Sequence, residues 1–115
     1  MDIGETLYVT TPADFRKWLE ANHEARKEIW LVQYKKASKK PSIKYAEAVE
    51  EAICFGWIDG FEKGMDAERY ATRFTPRRPR SNWTEGNKER ARRLIAEGRM
   101  TEAGLAALPA EMQHR

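Results

Sequence analysis

RFTPRRPRSNWTEGN, residues 73–87, is the stretch around which the chain is organised. It begins as a strand at Arg73-Phe74 and ends by opening a helix behind Ser81-Asn82-Trp83-Thr84. Between the two lie Pro76 and Pro79. Proline fixes φ, lacks an amide donor and restricts the residue before it, so the connection is stiff and poor in backbone hydrogen bonds. Arg73, Arg77, Arg78 and Arg80 carry planar five-donor forks that match carboxylate or phosphate. The helix that follows offers free N–H groups and the positive end of its dipole. An arginine- and tryptophan-rich loop in this position reads as an anion site.

Working outward, the preceding Arg69–Thr75 pairs as a hairpin with Phe61–Met65 around Gly64-Met65-Asp66. Alternation places Tyr70 and Phe74 on one face and Arg69 and Arg73 on the other. The hairpin is fed by FGWIDG, residues 55–60. There Gly56 allows close backbone approach and Gly60 a turn with positive φ. Asp59 has two readings: an Asx-turn cap, or a carboxylate pairing with a loop arginine such as Arg73. Upstream, Ser42 to Trp57 reads as a helix with an apolar stripe of Ala46, Val49, Ile53 and Trp57, and with Glu47, Glu50 and Glu51 on other faces. Cys54 near its end reads as a small buried hydrophobe.

The N-terminal part supplies a short strand, Leu7–Thr10. A helix follows with Thr11 as N-cap, Pro12 at the first position and Asp14 in the first turn. His23 reads as a solvent-exposed residue at its end. Glu28–Lys36 alternates bulky residues on both faces, as a central strand does, and Ala37–Pro41 is a basic loop. Beyond the arginine stretch, Thr84–Glu97 is a helix with Ala91, Leu94 and Ile95 inward and Gly98 just past its end. Thr101 caps a last short helix, with Met100 and Leu105 as its hydrophobic staple. Residues 109–115 read as a flexible tail.

The 115 residues suit one domain, with 41% apolar and 34% charged side chains and a mean hydropathy of −0.80. No apolar run approaches the ~20 residues that span a bilayer, and MDIGETLYVT lacks the basic start and apolar run of a secretory signal. A cytoplasmic location without membrane insertion is expected. One cysteine and two histidines supply neither an internal disulfide nor a zinc set. The charge is uneven. Residues 1–72 hold 11 basic and 13 acidic side chains, net −2, whereas residues 73–115 hold 10 and 5, net +5. The basic half favours an anionic small molecule or nucleic acid as partner, beside the plainer reading of a solvated basic surface.

No nucleophile–base set, glycine-rich phosphate loop or carboxylate cluster with metal spacing stands out, so neither catalysis nor a cofactor is expected. The ligand-binding candidates are Arg73, Arg77, Arg78, Arg80, Ser81, Trp83 and Asn87, with Trp57 and Trp83 able to stack a base or ring. Trp57, Asp59, Phe74 and Pro76 are read as structural support. The same arginines, paired with Asp59 and packed on tryptophan, would equally lock the loop, leaving an interaction module that works through a protein partner.

EAVEEAICFGWIDG (residues 47–60), RFTPRRPRSNW (73–83) and NKERARRLIAEGRMTEAG (87–104) together resemble the bacterial YdeI/OmpD-associated family, the bacteriocin-protection proteins. The resemblance covers Tyr8 to Leu108, and FGWIDG combined with TPRRPRSNW is more specific than either alone. It implies a small cytosolic α+β domain with no settled enzymatic activity and a link to stress or antimicrobial tolerance. The family pattern carries over at Phe55, Gly56, Trp57, Asp59, Phe74, Pro76, Arg77, Arg78, Ser81, Trp83 and Asn87. Many relatives look longer, so a short or truncated member is expected, with a weak homodimer as one way to cover an open face. The fold expected is a single α+β domain over residues 1–108: a small, mainly antiparallel sheet with about four helices packed on one face.

Overall fold

The computed structural model describes residues 2–78 and 81–113. The elements run β1 (Thr6–Tyr8), α1 (Pro12–Asn22), β2 (Ile29–Tyr34), α2 (Tyr45–Cys54), β3 (Trp57–Gly64), β4 (Arg69–Pro76), α3 (Glu85–Ala96) and α4 (Glu102–Ala106). Short 3-10 turns occupy Lys36–Ser38, which takes the last residue of the expected strand and the start of the expected basic loop, and Ala110–Met112. Among the described residues, no helix is long and apolar enough to cross a membrane.

The four strands lie in the order β1-β2-β4-β3. β4 pairs antiparallel with both β2 and β3, but β1 pairs parallel with β2. The sheet is therefore mixed, not mainly antiparallel. The reason is the connection: α1 carries the chain back to the end of the sheet from which it left, and a helical crossover between adjacent strands makes them parallel. β2 is central and almost wholly buried, as its two bulky faces require.

Helices cover one face of the sheet. Ile29, Leu31 and Phe74 meet Phe15 and Leu19 of α1 and Val49, Ala52 and Ile53 of α2 in one core. Phe15 and Phe74 pack edge to face, 5.4 Å apart. The buried amide of Gln33 is fully engaged: it donates to the Ile43 carbonyl at 3.0 Å and accepts from the Thr72 hydroxyl at 2.9 Å. That satisfies the polar atoms at this point of the core.

The helix starts follow threonine caps. Thr11, Thr84 and Thr101 each accept from a backbone N–H three residues on. α2 is shorter than its pattern, because Phe55 is its C-cap and Gly56, at φ 75°, turns the chain straight into β3. Ala46 falls in the exposed first turn, and the buried side is Ala48, Val49, Ala52 and Ile53. Glu51, expected on a solvated face, is buried: Arg16 of α1 reaches it at 3.1 Å and Arg99 at 2.5 Å. A buried carboxylate is tolerable only with such partners. Gly60 is not a positive-φ turn; it lies in the irregularity between Asp59 and Glu62, where β3 slips its register on β4.

His23 is the C-cap of α1, half-buried against the Phe55 ring and hydrogen-bonded to the Leu19 carbonyl, so it is not a solvated end. Leu105 stays exposed, so the expected staple does not bury it. The segment expected as a tail instead returns to the body as far as Gln113. Met112 joins the core and the Gln113 amide donates to the Leu105 and Leu108 carbonyls; His114 and Arg115 lie outside the described residues.

The tightest contact in the fold is between α4 and the end of α2. Thr101 donates both its N–H and its hydroxyl to the Cys54 carbonyl, at 3.1 and 2.6 Å. Gly104 sits directly over that peptide: a Cβ there would stand 2.7 Å from the Cys54 carbonyl carbon and 2.9 Å from the Ile53 oxygen. A Cβ on Gly56 would stand 2.8 Å from the Ala103 oxygen. Gly104→Ala should therefore displace α4 and cost about 1–3 kcal/mol or more in urea unfolding, whereas Gly86→Ala, whose Cβ would meet nothing closer than 3.9 Å, should cost far less. Equal stability of the two variants would show that α4 is not docked on Cys54.

Candidate functional site

The turn that α4 holds also fixes the start of the arginine stretch. Arg77 leaves the end of β4 and donates its backbone N–H to the Gly56 carbonyl at 2.8 Å. Its guanidinium lies over the Trp83 ring, 3.7 Å from the ring centre. This is the stacked geometry that arginine favours on an aromatic face. Nη1 leans towards the Ser81 hydroxyl and the Asn82 carbonyl at 3.4 Å each, which is long for a hydrogen bond. Nε is buried without a partner. Burial holds the Arg77 guanidinium down at about 10, and the charge of Asp59 pulls the other way.

This arginine differs from the others. Seven of the ten described arginines are ion-paired with a carboxylate. Arg77 and Arg78 have no such partner among the described residues, and Arg90 donates to the Asn87 amide oxygen instead. Arg78 is exposed beside Arg77. A buried donor without a partner carries a desolvation cost that the ion-paired arginines avoid.

The structure separates the expected site residues. Arg77, Ser81 and Trp83 come together, with Arg78 adjacent. Arg73 does not join them: its side chain emerges on the sheet face away from the helices and pairs with Glu28 at 2.5 Å, so the expected Arg73–Asp59 lock is absent. Asn87 receives Arg90 through its side chain and gives its backbone N–H to Thr84. Arg80, like Pro79, lies outside the described residues. Trp57 is 1% exposed and packs edge-on against Trp18, so it offers no stacking face. One face of Trp83 is already covered by Arg77, so Trp83 serves as the arginine's platform. Phe74 is in the core and Pro76 ends β4.

Among the described residues, Asp59 makes no ion pair with an arginine and caps no turn. It accepts the phenolic hydrogen of Tyr45, from the first turn of α2. Burial, then the hydrogen bond to Asp59 and its charge, push Tyr45 up to about 12. Nothing in the sequence links the two residues, because the contact depends on how α2 docks on β3. The thiol of Cys54 is also pushed up by burial, in keeping with a buried hydrophobe.

Beside the arginines runs a cleft of about 340 Å³, lined by Gly56, Arg77, Arg78, Ala103, Ala106, Ala107 and Leu108. A second cleft of about 390 Å³, bounded by Ser81, Trp83, Ala110 and Gln113, shares Ala107 and Leu108 with the first. The sequence reading missed this alanine wall; its signal was the run of small residues in AGLAAL, residues 103–108.

The family model for Domain of unknown function (DUF8412) matches residues 7–107. The chain belongs to this family. The match begins within β1 and runs through α4, taking in Arg77, Arg78, Ser81, Trp83 and the α4 wall as far as Ala107, and ends just before Leu108. No curated protein and no solved structure matches the chain.

The Tyr45–Asp59 contact has a pH signature. A phenol whose folded pKa lies above its unfolded value of about 10 favours the folded state below pH 10. That contribution disappears as pH rises from 10 towards 12. Ultraviolet titration at alkaline pH should show one tyrosine ionising well after the rest. Asp59→Asn should advance it part-way, since burial remains, and Tyr45→Phe should abolish it. Burial also raises Tyr70, so the refuting result is a latest ionisation left unchanged in Tyr45→Phe.

Proposed function

We propose that this DUF8412 protein is a non-catalytic binding module whose Arg77–Arg78 pair, seated on Trp83, takes an anionic small molecule. The observation that carries this reading is the half-buried Arg77 guanidinium, which lines the cleft and makes no ion pair with a carboxylate among the described residues, Asp59 acting on it only through its charge. A carboxylate or phosphate would form charge-assisted bonds there, and these are about twice as strong as neutral ones. Arg73 and Asn87 are left out of the ligand set, because both are engaged elsewhere.

Nucleic acid is the weaker alternative. Base stacking needs open aromatic faces, and Trp57 is buried while Arg77 covers a face of Trp83. A protein partner reached through the exposed Arg78 is the other reading. The proposed setting, the cytoplasm and a part in stress or bacteriocin tolerance, rests on the resemblance to the YdeI/OmpD-associated family.

Calorimetric titration with inorganic phosphate, at low and moderate salt, tests the proposal. Arg78→Ala should weaken binding about tenfold, the loss of one charge-assisted contact, with an unchanged melting temperature, because Arg78 is exposed and unpaired. Binding by the variant equal to wild type would remove Arg78 from the site. A logarithmic salt slope of several units, as counterion release from a polyanion demands, would shift the assignment to nucleic acid when an oligonucleotide replaces phosphate.

A further inference from the structure

The two clefts beside the arginines share a wall, and that wall is apolar. Ala107 and Leu108 line both; Ala103 and Ala106 extend it in one direction and Pro109 and Ala110 in the other. The charged groups that line the first cleft with it are Arg77 and Arg78. A bare phosphate or acetate would engage the arginines and leave the wall in water. A nucleotide would bring several charges against alanine methyl groups.

We infer that the groove takes an amphiphilic anion, with one carboxylate or phosphate head on Arg77 and Arg78 and an unbranched apolar tail along Ala106, Ala107 and Leu108. This deepens the anion-binding reading and rests on it. Three features of the structure support it. Nη1 of Arg77 is directed to Ser81 and Asn82, while Nη2 makes no hydrogen bond among the described residues and Arg77 lines the groove, so one donor edge remains for a single head. The wall is built from small side chains, which leave a shallow trough instead of a deep ring-shaped pocket. The trough is also firmly placed, because α4 is pinned to the Cys54 carbonyl through Thr101 and Gly104. A preformed apolar trough does not have to be ordered when the tail arrives.

The test is a matched ligand series on the full chain: acetate, octanoate, octyl phosphate and 1-octanol, each followed by amide and indole NMR shifts. All ligands stay below their self-association concentrations. Octanoate should bind at least about tenfold more tightly than acetate, since each methylene that leaves water adds to affinity. Octanol should bind weakly. The stronger of octanoate and octyl phosphate identifies the head as carboxylate or phosphate. Ala106→Trp, which places a large ring in the trough at an exposed position, should reduce octanoate binding to the level of acetate. A melting temperature like wild type would show that this variant is folded.

If octanoate and acetate bind equally, the tail site is wrong while the arginine site stands. If octanol matches octanoate, the trough is a nonspecific apolar surface and the inference fails. If none of the four shifts the Trp83 indole or the Arg77 and Arg78 amides, both the inference and the anion-binding reading are overturned.

Discussion

The carbonyl of Cys54 stands at the end of α2 with no helical partner of its own, and Thr101 supplies two donors to it. Everything at the candidate site depends on that closure. It lets α4 lie against the α2–β3 turn at a distance only glycine permits at positions 56 and 104. It thereby sets Gly56, whose carbonyl receives the Arg77 amide, and brings the alanine wall into the same cleft as the arginines. A substitution that pushed α4 outward would widen the groove and loosen the start of the arginine stretch together.

Charge is the second organising constraint. Seven of the ten described arginines are tied to carboxylates, five of them to partners far away in sequence, among them Arg73 to Glu28, Arg16 and Arg99 to Glu51, and Arg93 to Glu50. The Glu51 cluster ties α1, α2 and the α3–α4 connection together beneath the surface, where breaking one partner would strand a buried charge. The exposed pairs add little to stability. Against this background Arg77 and Arg78 stand out less for their number in the sequence than for making no ion pair with a carboxylate among the described residues.

Local signals in the sequence carried much of the fold. The three threonine caps, Pro12 at the start of α1, the glycine ending α3 and the β3–β4 hairpin all rest on interactions within a few residues, and the structure has each of them. The parallel pairing of β1 was not legible, because a three-residue strand has no pattern of its own and its direction follows from how α1 packs. The burial of Glu51 was hidden for the same reason: its partners are 35 and 48 residues away. At the site, Arg77, Ser81 and Trp83 were found because they lie within seven residues on a proline-stiffened loop. The Tyr45–Asp59 contact and the alanine wall were not, since both arise from the docking of separate helices.

Arginine side-chain NMR of the Nε–H groups during a phosphate titration tests the central claim most directly. A saturable shift of the Arg77 guanidinium signals and the Trp83 indole is expected at moderate salt, while the ion-paired Arg73 and Arg99 signals stay in place. Uniform small shifts across all arginines, or an unmoved Arg77 signal beside shifts elsewhere, would contradict it and leave Arg77 as a structural brace on Trp83.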